Sequence, residues 1–126
     1  MQTKYTVILS LATGFALGAA TIQILHAQAK PPGYVIAEVN VKDPNGYKKD
    51  FLPVIVPIIQ AEGGDYLAAG GQTVSFMGTP PPNRVVIVQY ESLSKAQEWW
   101  GKAKDTLSIG EKYAEFTIYA VEGASP

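Results

Sequence analysis

Cysteine is absent from this chain and histidine occurs once, as His26. Without cysteine there is no disulfide, no thiol nucleophile and no lipid attached through an N-terminal cysteine, although an oxidising compartment remains open to it. His26 falls inside an N-terminal stretch that reads as an export signal, so the remainder holds neither residue. The commonest ligands of zinc, haem, copper and iron–sulfur clusters are therefore missing. So is the usual general base near neutral pH. Ser-His-Asp and Cys-His mechanisms are excluded within one chain. Arginine also occurs once, as Arg84. Ten basic residues face eleven acidic ones, a net charge of −1, with no basic block or stripe that would favour nucleic acid. No G-x-G-x-x-G pattern and no Walker lysine is present, so nucleotide binding has no support. The expectation is a protein without metal, cofactor or nucleic-acid partner.

The first residues have the three parts of a secretory signal. Lys4 gives a positive start, Val7 to Ala20 is mostly apolar, and Ala27-Gln28-Ala29 is a small-x-small cleavage site followed by Lys30-Pro31-Pro32. This predicts a cleavable signal over residues 1–29, a periplasmic or secreted protein, and one small domain over residues 30–126. Losing Lys4 moves the net charge from −1 to −2. The alternative is a membrane anchor left uncleaved, because Tyr5 to Leu25 approaches the roughly 20 apolar residues that span a bilayer. Thr13, Gly14, Gly18, Thr21 and Gln23 weaken that reading, and after cleavage no stable membrane span is expected.

Beyond the signal the pattern alternates between strand and helix. Val35, Ala37, Val39 and Val41 fall on one face of a strand over Tyr34 to Val41; Tyr34, Ile36, Glu38 and Asn40 fall on the other. That second face is only half polar, which suits a surface less wet than bulk solvent. Asp43 and Pro44 fit a helix start. Tyr47, Phe51, Val54, Ile55, Ile58 and Ile59 then recur on one helical face. Pro53 and Pro57 lie off this stripe; each costs about 3 kcal/mol in an ordinary helix interior, so a bend or split near Pro53 is expected. Gly63-Gly64 stops the helix. Tyr66 to Ala69 reads as a second strand and Thr73 to Met77 as another short strand or a ragged extension. Thr79-Pro80-Pro81-Pro82-Asn83 is a turn or polyproline stretch. Arg84 to Tyr90, with four consecutive apolar residues from Val85, reads as a central strand.

Ser92 or Ser94 can cap the second helix, with Gln97 completing a capping box on Ser94. Leu93, Ala96, Trp100, Ala103 and Leu107 form its apolar stripe, and Glu98 and Lys102 an exposed pair. A turn near Gly110 leads to a last strand over Glu115 to Val121. The order β-α-β-β-α-β is the split βαβ arrangement, an α+β ferredoxin-like fold with an antiparallel sheet. Two helices cover one sheet face only. Apolar residues on both faces of the third and fourth strands therefore predict a face-to-face homodimer.

Several segments occur in an order that carries a resemblance: Tyr34 to Val39, Asp43-Pro44, Gly63 to Gly71, Pro82 to Ile87, Ser92 to Trp99, Ile109 to Ala114 and Val121-Glu122-Gly123. In these the chain resembles the bacterial domain-of-unknown-function family 1330, and most closely its exported members. The resemblance implies a ferredoxin-like fold that dimerises into an α+β barrel. Many members carry arginine after the first double glycine and in the last strand. Here those places hold Asp65 and, roughly, Thr117, so an anion-binding role for those arginines does not carry over.

Candidate ligand contacts are Glu38, Tyr47, Tyr66, Trp99 and Tyr113, with Trp100 and Tyr119 as further aromatics. Tyrosine and tryptophan join an apolar body to a polar tip, which suits orienting a flat organic molecule. The bland alternative is that they fill the core and a dimer interface. Glu38, mid-strand among apolar residues, is a conceivable general base if buried; otherwise it is exposed or paired. Asp65 reads as a surface turn residue. Arg84 could bind a carboxylate, against an edge salt bridge as the plainer expectation. No catalytic residue is identified. Two functions stay open: an exported dimer that binds a small apolar or aromatic molecule or a protein partner, and a cofactor-independent oxygenase or isomerase using Tyr, Trp and Glu in the cleft between sheet and helices.

Overall fold

The computed structural model describes residues 30–125. The predicted signal and its cleavage site, residues 1–29, lie outside the described residues. Four strands form one sheet: β1 (Gly33–Val41), β2 (Asp65–Ala69), β3 (Arg84–Tyr90) and β4 (Ala114–Glu122), in the order β2-β3-β1-β4. Every neighbouring pair is antiparallel. The predicted alternation of β1 sets its register. Val35 lies between Val88 and Ala120, and Val39 between Arg84 and Phe116. Val35, Val39, Val86, Val88 and Ala114 are buried beneath the helices. No helix among the described residues is long and apolar enough to cross a membrane.

The first helical region has three parts: α1 (Pro44–Gly46), a π-helical turn (Tyr47–Phe51) and α2 (Leu52–Ala61). Asp43 caps it by accepting a hydrogen bond from the Gly46 N–H at 3.1 Å. The predicted bend at Pro53 takes a specific form. The π-helical turn ends at Phe51, so Pro53 falls in the first turn of α2 and only Pro57 is interior. A first-turn residue needs no N–H donor, so Pro53 escapes most of the interior cost. The wide turn also places Tyr47 and Phe51 both inward, 5 % and 2 % exposed, with ring centroids 5.3 Å apart.

At the end of α2 the double glycine closes the helix as its sequence predicts. Gly63 has φ +79°, and the N–H groups of Gly63 and Gly64 donate to the carbonyls of Gln60 and Ile59 at 3.0 and 2.9 Å. These paired bonds satisfy two carbonyls the helix leaves free. Glu62, just before the turn, is the one buried charged residue among the described residues, at 6 % exposure. Its carboxylate meets Lys102 at 2.7 Å and Lys95 at 3.6 Å, both from the second helix.

That helix, α3 (Leu93–Ala103), continues through a 3-10 turn into α4 (Leu107–Gly110). Ser92, not Ser94, caps it, accepting from the Lys95 N–H at 3.1 Å, and the expected box between Ser94 and Gln97 does not form. The apolar stripe keeps Ala96, Ala103 and Leu107 as expected, but Trp99 takes the inward place expected of Trp100. Trp99 is buried at 5 % exposure and Trp100 is 41 % exposed. Trp99 packs on Tyr90 with centroids 5.8 Å apart, and Tyr90 is the sheet residue that selects it. Lys102 is drawn to Glu62, so the expected Glu98–Lys102 pair is replaced by Glu98–Lys95 at 3.2 Å.

Between β2 and β3 the expected strand over Thr73–Met77 is absent. Strand-forming side chains need a partner strand and a register. Here Gly70, at φ +75°, turns the chain off the sheet just after the last ladder bond, from its N–H to the Val85 carbonyl at 2.9 Å. Val74, Phe76 and Met77 stand exposed, Phe76 at 94 %. The loop is closed by Asn83, whose side-chain amide accepts from the Val41 N–H and donates to the Val41 carbonyl, each at 2.8 Å. A side chain thus supplies the ladder pair that a strand residue would have made.

Candidate functional site

The helix-covered side of the sheet holds a cavity of about 50 Å³. Its floor is Val35, Ala37, Val39, Val86 and Val88, its roof Phe51, Leu52, Ile55, Ile59, Trp99 and Leu107, and Phe116 and Ile118 close one side. The lining is almost wholly apolar and is shared with the hydrophobic core. Its polar members are Tyr47, Tyr66 and Arg84. Tyr47, Leu52 and Arg84 also line an outer hollow of about 290 Å³, together with Val41, Pro44, Lys48, Gly70 and Asn83. These three residues therefore stand between an inner apolar chamber and an outer, more polar one.

Local sequence explains each placement. Arg84 opens β3 on the same face as Val86 and Val88, pairs with Val39, and follows the Asn83 clamp. Tyr47 enters from the π-helical turn, with the Arg84 guanidinium carbon 5.5 Å from its ring centroid. Tyr66 reaches the same face because β2 has a bulge between Tyr66 and Ala68: Tyr66 opposes Val88, on the helix side, while Ala68 opposes Ile87, on the open side. Burial raises the Tyr47 phenol pKa, and the Arg84 guanidinium offsets part of that rise. Tyr66 is raised by burial in the same way, again with Arg84 opposing. Both phenols stay protonated at neutral pH and can donate hydrogen bonds.

A family model for DUF1330, a domain of unknown function, matches residues 32–124. This chain belongs to the DUF1330 family. The DUF1330 domain resembles a solved protein of unknown function from Rhodopseudomonas palustris, at 14% identity over 77% of this chain and 85% of that one, with TM-score 0.56. The methylated form of that protein gives 14% identity, 77% and 84% coverage and TM-score 0.54. An EthD-like protein from Ralstonia eutropha JMP134 matches at 12% identity, over 74% of this chain and 92% of that one, with TM-score 0.50. At such identities the likeness speaks for the fold alone, the ferredoxin-like α+β fold of the dimeric α+β-barrel type. No curated protein sequence is similar enough to count as a relative.

The five candidates from sequence divide among three places in the DUF1330 domain. Tyr47, Tyr66 and Trp99 line the inner cavity. Glu38 lies on the opposite, open face of the sheet, where the Tyr119 hydroxyl donates to its Oε2 at 3.0 Å. Tyr113 lies in the turn before β4 and donates to Asp50. Glu38 therefore does not converge with the cavity tyrosines, and an acid in the cleft between sheet and helices, as the enzymic alternative pictured it, is not among the cavity's lining residues. Lys48 is absent from the sequence candidates, and Arg84 enters them only as a carboxylate binder set against an edge salt bridge. The expected edge salt bridge of Arg84 does not form: among the described residues neither Arg84 nor Lys48 is within ion-pair distance of a carboxylate. The Arg84 Nε is buried without a hydrogen-bond partner in the domain, and so is the Trp99 Nε1. The signal in sequence was the singularity of Arg84 between a proline turn and a valine run, a poor setting for an idle surface charge. Among the described residues no His, Cys, Asp or Glu cluster is placed to hold a metal ion.

Proposed function

We propose that this DUF1330 protein is an exported homodimeric binding protein that holds a small apolar or aromatic molecule between its sheet and its helices. The observation that carries the reading is the apolar cavity whose few polar groups, Tyr47, Tyr66 and Arg84, gather at one end. A pocket that is apolar throughout with a few convergent polar groups binds a ligand by burial and orients it by hydrogen bonding.

Two surfaces support the homodimer. On the open sheet face, Tyr34, Ile36, Val85 and Ile87 are only partly buried, and Tyr119 and Val121 are 47 % and 48 % exposed. The loop adds Phe76 and Met77, at 94 % and 93 %. Apolar surface gathered in this way is unusual on a monomer, and a two-fold partner covers it with the same surface twice. Export rests on the Ala27-Gln28-Ala29 site and the apolar run before it.

Native mass spectrometry of protein recovered from its own envelope fraction tests the reading. The expected spectrum is a dimer of chains beginning at Lys30, or at Gln28 if cleavage follows Ala27, with a retained small organic molecule released on activation. A stable monomer, or a chain that keeps Met1 in the membrane, contradicts the assembly or the export. A ligand-free spectrum combined with no response to any small apolar molecule contradicts the binding.

A further inference from the structure

We infer that the ligand of this cavity carries a carboxylate, and that Arg84 is the residue that recognises it. The inference rests on the binding reading above and narrows it to an apolar monocarboxylic acid with a short chain or a single ring. The charged side chains that line the two chambers are both cations, and the phenols and the Asn83 amide beside them can donate as well as accept. The guanidinium of Arg84, the protonated phenols of Tyr47 and Tyr66 and the ammonium of Lys48 face the ligand space, and no acidic residue lines either chamber. Arg84 has no ion-pair partner among the described residues, and its Nε is buried without an acceptor. A buried donor without an acceptor is destabilising, and an anion at this guanidinium would supply the acceptor that its Nε lacks. A guanidinium presents parallel N–H donors that match the two oxygens of a carboxylate.

The backbone is also arranged around this side chain. Gly70 holds φ +75°, and a Cβ there would collide with Arg84 Nη1. Glycine therefore both makes the turn and leaves room for the guanidinium. Asn83, bonded twice to Val41, fixes the residue just before it. The inner chamber is apolar, whereas the outer one has two cations and more volume. The carboxylate is thereby assigned to the Arg84 junction, with hydrocarbon directed to the apolar side.

Matched probes test this: sodium benzoate against benzyl alcohol, and sodium hexanoate against hexan-1-ol, titrated into the protein at pH 7 and followed by methyl NMR. Each acid is expected to bind about tenfold to a hundredfold more tightly than its alcohol, the worth of one charge-assisted contact. Arg84→Met should remove that preference and leave alcohol binding within about threefold. If the alcohols bind as tightly as the acids, the carboxylate assignment is wrong while apolar binding stands. If neither acids nor alcohols move the cavity methyls, both readings fall. Should Arg84→Met not fold, Arg84→Lys keeps the charge without the fork, and undiminished benzoate affinity in it overturns the role of Arg84. A loss of dimer in Arg84→Lys with no acid preference in the unmodified protein would instead mark Arg84 as an interface residue.

Discussion

Gly63 and Gly64 are adjacent and identical, yet they are required for different reasons, and the two can be separated. Gly63 holds φ +79° and faces open space, with nothing within 4 Å of a built Cβ. Alanine there meets no neighbour and bears only the backbone cost of the left-handed conformation, about 1–2 kcal/mol. Part of the change is offset, by about 0.4–1 kcal/mol, because alanine also restricts the unfolded chain. A net loss near 1 kcal/mol follows, about 4–8 °C in Tm for a domain of this size. Asparagine tolerates that conformation better than alanine, so Gly63→Asn should lose less. Gly64 has no positive φ, but a Cβ there would lie 2.7 Å from Ile59 Cγ2, 2.8 Å from Val88 Cγ1 and 2.9 Å from the Ile59 carbonyl oxygen. Gly64→Ala should lose about 1–3 kcal/mol through overpacking, and Gly64→Asn more because it is larger. Urea unfolding followed by tryptophan fluorescence gives all four values. The reasoning fails if asparagine is worse than alanine at position 63, or if alanine is harmless at position 64.

The two tryptophans give a second test. Trp99→Ala should cost about 3–5 kcal/mol, the range for a large buried aromatic, and Trp100→Ala much less because that ring is 41 % exposed; equal losses in thermal unfolding would refute the inward placement of Trp99. The Glu62 clamp predicts an acid-side effect. Hydrogen bonding to Lys102, then the charges of Lys102 and Lys95, hold its carboxyl below the ordinary 4.5 against the opposing effect of burial. A depressed folded pKa contributes stability that is present above 4.5 and lost as pH falls through the folded value, so Glu62→Gln should flatten the fall in urea midpoint between pH 7 and pH 3. An unchanged acid slope in that variant would remove Glu62 from the account. For the open face, Val121→Asp should dissociate the proposed dimer while circular dichroism stays native, and Ile118→Asp, in the cavity wall, should unfold the chain instead. A Val121→Asp dimer of unchanged mass in sedimentation would place the interface elsewhere.

Much of this architecture can be read from residue spacing because the responsible interactions are local. The alternation from Tyr34 to Val41 chooses the buried side of β1, and Gly63 ends α2 through its own φ and two short-range bonds. What escapes the sequence depends on partners distant along the chain. Thr73 to Met77 has strand-forming side chains but no ladder, because Gly70 turns away before a register can form. Trp99 and Trp100 have equal apolar claims to the interior, and Tyr90 decides between them. Asn83 looks like an ordinary turn residue until its amide is seen joined to Val41. At the site, aromatic composition points to Tyr47, Tyr66 and Trp99, which share the cavity lining. It also proposes Glu38, which strand parity places on the other face once the helices are in position. Arg84 is visible as a lone arginine, but its lack of a partner is a property of the fold.

The central claim is that the cavity between sheet and helices admits a ligand. Its most direct test is a methyl NMR titration of the full protein with sodium benzoate, reading Val35, Val86, Val88, Ile55 and Ile59 against Val121 on the open face. The account predicts saturable shifts in the five cavity residues, nuclear Overhauser contacts from their methyls to the benzoate ring, and no contact at Val121. Shifts confined to Val121 and the Phe76 loop, with the cavity methyls unmoved at saturation, would contradict it.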